Sequence, residues 1–222
     1  GGVSFLLFAQ LVRMVFFFTP SEPGYVIYMG KDKFENEELI KYGLPTDLWF
    51  HVDNLSSAHV YLRVPDGASL DNIPANVLEE CCQIVKDNSI KGKKEAKVDI
   101  VYTPWENLLK KQSMEVGQVG FKKQKRVTTV TTHKNNTIVR NLNRTKREEQ
   151  PDLVAQRYAY DEAQRKKLEA EKREMKQRKK QEAKEAKQRQ ELQSYSDLMT
   201  YDDMSSNKNL SMTEEDYEES FM

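Results

Sequence analysis

The chain has 222 residues, with 35 basic and 35 acidic side chains and no formal net charge; that length suits one ordinary domain with extensions. The zero sum hides segregation: residues 1–109 are acidic by about five charges, 110–143 basic by about seven, 144–193 basic by about five, and 194–222 acidic by about seven, which argues for local electrostatic surfaces. Two adjacent cysteines, Cys81 and Cys82, exclude a disulfide framework and suit a reducing, cytoplasmic setting, and three histidines with no Cys-x-x-Cys spacing exclude a structural zinc site.

The chain opens on "GGVSFLLFAQLVRM", and its first methionine is Met14. The apolar run from Val3 to Phe18 is interrupted by Gln10 and Arg13 and is short for a membrane span. Residues 1–13 read as an extraneous or targeting-like extension, with a signal or anchor segment and a folded strand as the other readings. From Met14 to residue 135 the pattern predicts a compact α+β domain of sheet and helices. "MVFFFT" and "YVIYMG" are strand-like, and "TPSEPG" between them is turn material. "KDKFENEELIKYG" predicts a short helix closed by Gly43. "DLWFHV" and "HVYLRV" predict two more strands. "IPANVLEECCQIVKDNS" predicts a helix with Pro74 at its start and an apolar stripe of Val77, Leu78, Cys81, Ile84 and Val85, in which Cys81 is a small buried hydrophobe. "KVDIVYT" and "RVTTVTTH" complete the strands.

Residues 136–194 form a charged helical, coiled-coil-like region. One helix is expected from near Asn136. A second begins at Pro151 and runs from about Asp152 to Gln193, free of Pro and Gly and rich in helix formers. Glu169–Arg173 and Glu185–Arg189 support it at i,i+4, whereas Lys180–Lys184 repel. Leu168 and Met175 stand one heptad apart, but Glu182 and Arg189 follow in that register, which favours a solvated single helix over a long coiled coil. The tail, 195–222, is acidic, polar and expected to be disordered; within it Ser211 and Thr213, followed by Glu214, Glu215 and Asp216, suit an acidophilic kinase.

The two central strands carry the functional question. Alternation puts Leu48, Phe50 and Val52 on one face and Asp47, Trp49 and His51 on the other; the next strand repeats this with Val60, Leu62 and Val64 against His59, Tyr61 and Arg63. Only "DNLSSA" separates them, so an antiparallel hairpin is expected. Parity favours the register Asp47–Arg63, Trp49–Tyr61, His51–His59, Leu48–Leu62 and Phe50–Val60. The polar side is then a candidate platform: Trp49, Tyr61, His51 and His59 to stack and hydrogen-bond bases, with Lys31, Arg63, Lys110, Lys111, Lys122, Lys123, Lys125 and Arg126 to hold phosphates. The competing reading is that a helix covers this face and Trp49 is core. Neighbouring imidazoles would resist double protonation. Catalysis finds little support. Asp47 and His51 lie about 13 Å apart along a strand, no nucleophile sits in a motif, and "GQVG" is neither a dinucleotide fingerprint nor a phosphate loop, so no cofactor is expected.

The run "YVIYMGKDKFENEELIKYGLPTDLWFHVDNLSSAHVYLRV", with "VDIVYTPWENLLKK" and "GQVGF", resembles the NFACT-R domain family, which also occurs in ribosome quality-control factors and bacterial fibronectin-binding-like proteins. Gly30, Lys31, Asn36, Asp47, Trp49, His51, Ser57 and His59 match its motifs, with Gly30, Asn36, Asp47 and Ser57 in structural positions; "SSAH" departs from the Gly-Ser-His type segment of many relatives. The resemblance implies a nucleic-acid-binding domain, for RNA and without catalysis; the function expected first is a small RNA-binding protein associated with ribosomes or tRNA. Two other functions fit the same sequence: a membrane-associated receptor for nucleic acid, DNA included, and a structural adaptor binding a protein partner through the 152–193 helix.

Overall fold

The structure, a computed structural model, describes residues 14–198. The expectations for residues 1–13 and for the tail beyond residue 198, including Ser211 and Thr213, lie outside the described residues. In chain order the elements are β1 (Val15–Phe18), β2 (Val26–Gly30), α1 (Lys33–Tyr42), β3 (Asp47–Val52), β4 (Val60–Arg63), α2 (Ala75–Asp87), β5 (Lys97–Pro104), β6 (Leu108–Leu109), β7 (Gly120–Phe121), β8 (Thr128–His133), α3 (Asn136–Arg144), β9 (Arg147–Glu149) and α4 (Leu153–Leu198). Seven of the strands form one antiparallel sheet in the order β8-β5-β3-β4-β2-β1-β9, and β6 with β7 makes a small separate ladder. The fold is α+β, as expected. The β3–β4 register is Asp47–Arg63, Leu48–Leu62, Trp49–Tyr61 and Phe50–Val60, the one that parity favours.

Each face of the sheet is covered. On one, Ile27, Leu48, Phe50, Val60, Leu62 and Ile100 pack with Val77, Cys81, Ile84 and Val85 of α2 and with Leu142 of α3. Burial pushes the Cys81 thiol well up, and that of Cys82 up to about 12, so both behave as apolar filler. On the other face Val15, Tyr28, Trp49 and Tyr61 pack with Leu39 of α1, Leu108 and Leu153 of α4. Asp32 caps α1 by accepting from the amides of Phe34 and Glu35, while Glu35 returns the bond to the Asp32 amide. The C-cap position, Gly43, needs glycine for a steric reason: a β-carbon there would collide with Nε1 of Trp105, whose indole donates to the Leu39 carbonyl at 3.2 Å. A β-carbon at Gly30 would lie 3.0 Å from the Asn36 amide nitrogen, so the tight entry to α1 also needs glycine.

The folded unit continues past residue 135, the boundary expected from composition, and runs to Glu162. α3 seats Leu142 in the core, β9 pairs with β1, and the first turns of α4 seat Leu153 on the sheet. Gln156 accepts from Nη1 of Arg63 at 3.3 Å, and Nη1 of Arg157 donates to the Gly43 carbonyl at 2.8 Å. The second unit, from Ala163 on, carries the remainder of α4, whose side chains up to residue 194 are exposed. Among the described residues no helix is long and apolar enough to cross a membrane, and Val15–Phe18, the end of the first apolar run, is a strand of the sheet.

Candidate nucleic-acid interface

The aromatic face of the β3–β4 hairpin is internal, which corrects the expectation of a solvated platform. Trp49 is 2% exposed, Tyr61 0% and His59 6%, because α1, the segment from Trp105 to Phe121 and the start of α4 lie over them. The indole of Trp49 stacks on His51 at 5.6 Å with an interplanar angle of 2°, and meets His59 and Phe121 edge-on at 5.3 and 5.7 Å. No nucleobase can reach either face of that ring.

The polar atoms of this face are spent internally. Nε1 of Trp49 donates to Nδ1 of His59 at 2.9 Å. Since an indole N–H only donates, that imidazole nitrogen is unprotonated. His51 donates from Nδ1 to the Val52 carbonyl at 2.7 Å and remains half-buried. The β3–β4 ladder ends at Phe50–Val60, so the expected His51–His59 pair is not part of it, but the two rings lie 5.1 Å apart edge-on. Burial, more than the neighbouring imidazole, depresses His59, whose pKa falls to about 3; burial also lowers that of His51. A histidine held neutral in the fold stabilises it fully above its unfolded pKa near 6.5, and this stability is lost as pH falls from there towards about 3. Urea melts at pH 7 and pH 5 should therefore differ by about 2 kcal/mol from His59 alone, at roughly 1.4 kcal/mol per pH unit. In His59→Asn, whose amide oxygen still accepts from the indole, most of that slope should vanish; an unchanged slope would assign the acid sensitivity elsewhere.

Asp47 is fully buried at the other end of the hairpin. Its carboxylate accepts from the Tyr28 hydroxyl at 2.5 Å, the Leu44 amide at 3.0 Å, and Nε and Nη2 of Arg63 at 3.2 and 3.3 Å. Tyr61 donates to Oδ1 of Asn36 at 3.4 Å, and Ser57 Oγ accepts from the Val52 amide at 3.1 Å. Asp47, Asn36 and Ser57 are thus framework. So is Arg63, whose Nε, Nη1 and Nη2 all have partners within the domain.

The expected cations divide in two. Lys110 is structural: its ammonium contacts Glu37 Oε1 at 2.5 Å and the carbonyls of Glu115 and Gln118 at 2.7 and 3.0 Å, so its three donors close the 110–118 loop and none is left for a phosphate. Lys122 donates once, to the Glu106 carbonyl at 2.7 Å. Lys31, Lys111, Lys123, Lys125 and Arg126 are exposed and make no side-chain hydrogen bond or ion pair among the described residues. The 122–126 segment is held from beneath. Buried Asn107 donates to the Lys123 carbonyl and accepts from its amide, both at 2.9 Å, and Thr103 donates to the Arg126 carbonyl at 2.9 Å. Phe121 is half-buried against Trp49.

An exposed aromatic on the folded domain beside a cation is one that the strand pattern does not flag. Phe34 is 56% exposed at the second position of α1, with the Lys33 ammonium 5.2 Å from its ring centre. A shallow cavity of about 300 Å³ adjoins α1 through Glu37 and is lined by Lys110, Lys111, Gln112, Met114 and Val116. The signal for Phe34 is in the helix periodicity: Asn36, Leu39 and Ile40 form the buried stripe, and Phe34 falls on the opposite side. Among the described residues no cluster of metal-ligating side chains occurs.

An antiparallel α+β unit with clamped basic segments defines the class, and similarity to known proteins specifies it: residues 14–123 match the family described as NFACT protein RNA binding domain. Coiled-coil domain-containing protein 25 of Mus musculus is 53% identical over 199 residues, 88% of this chain and 96% of that protein. The Danio rerio protein of the same name is 52% identical over the same shares, and the Dictyostelium discoideum homolog 52% identical over 68% of this chain and 74% of its own length. The chain belongs to the coiled-coil domain-containing protein 25 family, built on an NFACT-R domain.

Proposed function

We propose that this protein binds RNA without catalysing a reaction on it, as a ribosome- or tRNA-associated factor. The observation that carries this reading is a set of exposed cations with no side-chain partner among the described residues, Lys31, Lys111, Lys123, Lys125 and Arg126, within and beside the segment that matches an RNA-binding domain, with the backbone at Lys123 and Arg126 held by Asn107 and Thr103. Such charges contact phosphates, while Phe34 offers an open ring for one unstacked base with Lys33 beside it. Trp49 and His59 act beneath the surface: Trp49 packs on Phe121, and His59 hydrogen-bonds the Gly117 backbone.

Phe34→Ala should weaken binding of a single-stranded RNA by roughly 1–3 kcal/mol, the value of one stacked base. Its thermal melt should match wild type, since the ring is largely in water. The triple variant K123E/K125E/R126E should weaken binding uniformly across sequences and flatten the dependence of log K on log salt, by about 0.7 for each phosphate no longer neutralised. Fluorescence anisotropy at several salt concentrations measures both. Salt-insensitive binding, or full affinity in the triple variant, would reject this account.

A further inference from the structure

A second cationic surface lies on the opposite layer of the domain, where none of the expected binding residues falls. The end of α2 and the outer side of α3 border a wide, shallow cleft of about 530 Å³, open to solvent, whose polar lining is Asp87, Lys93, Asn136, Arg140, Asn143 and Arg144. Lys134 borders the small recess that adjoins it through Asp87, Lys93 and Asn136. Among the described residues the sole acid lining the cleft is Asp87, and it is already paired with Lys93 at 2.9 Å. Lys134, Arg140 and Arg144 make no side-chain hydrogen bond or ion pair among the described residues.

The fold does not need these charges. α3 is anchored by Leu142 and Ile138, and capped by Asn135, which accepts from the amides of Thr137 and Ile138. Asn136, Arg140, Asn143 and Arg144 recur at i, i+4, i+7 and i+8, one polar stripe facing the cleft. Two arginines at i,i+4 repel each other and weaken an isolated helix, so an anion between them relieves a cost that the protein otherwise carries. Both walls are fixed from inside. The buried Lys86 ammonium donates to the carbonyls of Gly92 and Glu95 at 3.0 and 2.7 Å, which holds the loop bearing Lys93. Buried Gln83 accepts from the Asn135 amide at 2.9 Å and donates to the His133 carbonyl, which holds the entry to α3 on either side of Lys134.

The two surfaces are joined by the sheet edge. β8 is a terminal strand of the sheet; Lys125 and Arg126 precede it and Lys134 follows it. Its six residues span about 20 Å, and Thr128, Thr129, Thr131 and His133 along it are exposed. We propose that the α2–α3 cleft is a second phosphate-binding site, taken by the backbone of the same RNA strand after it rounds the β8 edge; the identity of the strand rests on the function proposed above. Guanidinium forks of Arg140 and Arg144 would grip phosphate oxygens, with the amides of Asn136 and Asn143 as further donors.

The test uses the full chain and two probes. Inorganic tripolyphosphate, followed by amide NMR shifts, asks about the cleft independently of RNA. Saturable shifts at Lys93, Asn136, Arg140 and Asn143, lost in R140E/R144E and kept in K123E/K125E/R126E, are expected; shifts scattered over exposed lysines, or unchanged in R140E/R144E, overturn the site. With a long single-stranded RNA, R140E/R144E should reduce the salt slope by about 1.4, at roughly 0.7 per contact. A trinucleotide, too short to span the roughly 20 Å of β8, should bind R140E/R144E like wild type. An unchanged slope with long RNA overturns the shared-strand proposal, as does equal weakening for the short RNA. If wild type bound tripolyphosphate at the cleft but no RNA, the proposed function would fail and the phosphate site would stand.

Discussion

Trp49→Ala is expected to lose about 3–5 kcal/mol of unfolding free energy, the cost of removing a large buried aromatic. The indole fills the centre of the second core, between Tyr61, His51, His59 and Phe121. Truncation also strips His59 Nδ1 of its donor, which leaves a buried acceptor unmet. A small domain has only about 5–15 kcal/mol in total, so the variant should be close to unfolding at physiological temperature. Trp49→Phe separates the two contributions: it keeps most of the volume and should lose about 1–2 kcal/mol, mostly the hydrogen bond. Urea titration followed by circular dichroism measures both. A Trp49→Ala protein with a wild-type midpoint would mean that the ring faces water after all. Any loss of RNA binding in this variant is then a folding effect, which makes Phe34→Ala, at an exposed ring, the informative aromatic variant.

Asp47→Ala is expected to be the most damaging change among the polar groups, at about 3 kcal/mol. Removing one member of a buried pair commonly costs about 3–5 kcal/mol, and the lower end applies because the Arg63 side chain keeps 28% exposure, so water screens the charge left behind. Three donors lose their acceptor together: the Tyr28 hydroxyl, the Leu44 amide and the Arg63 guanidinium. Burial and the facing carboxylate push the Tyr28 phenol well up, so it stays a donor at any physiological pH. The double variant D47A/R63M, which removes both charges, should recover part of the loss, and that recovery distinguishes an orphaned charge from simple cavity formation. Asp47→Ala should also loosen the start of α4, because Arg63 reaches Gln156 from the position that Asp47 holds. Faster hydrogen exchange at residues 153–162 would report this, and unchanged exchange there would detach α4 from the network.

Adjacent lysines can have opposite fates. Lys110 and Lys111 are neighbours and, by composition alone, equivalent candidates for phosphate contact. Yet Lys110 is consumed by Glu37 and two carbonyls, whereas Lys111 has no partner among the described residues. Glu37 comes from α1, more than seventy positions earlier, and it also accepts from the Gly117 amide. Phe34 presents the converse. Its exposure follows from the 3.6-residue period of α1 and is legible in the sequence, whereas Trp49, the more conspicuous ring, is the one the fold covers.

What the order of residues determines by itself is local and periodic. Two-residue alternation assigns the two faces of β3 and β4, and parity then settles which residues oppose one another, down to Asp47–Arg63 and Trp49–Tyr61. The helix following Lys31, the apolar stripe of α2 and the start of α3 are legible for the same reason: each depends on neighbours within a few positions. Which face of the sheet meets water is decided only in three dimensions. Trp49 is sealed by Leu39, Leu108, Phe121 and Leu153, which arrive from before and far after it in the chain. Burial is a sum over everything packed nearby, whatever its sequence distance. A pattern that repeats every two residues can therefore divide a strand into two sides but cannot say what will cover either one.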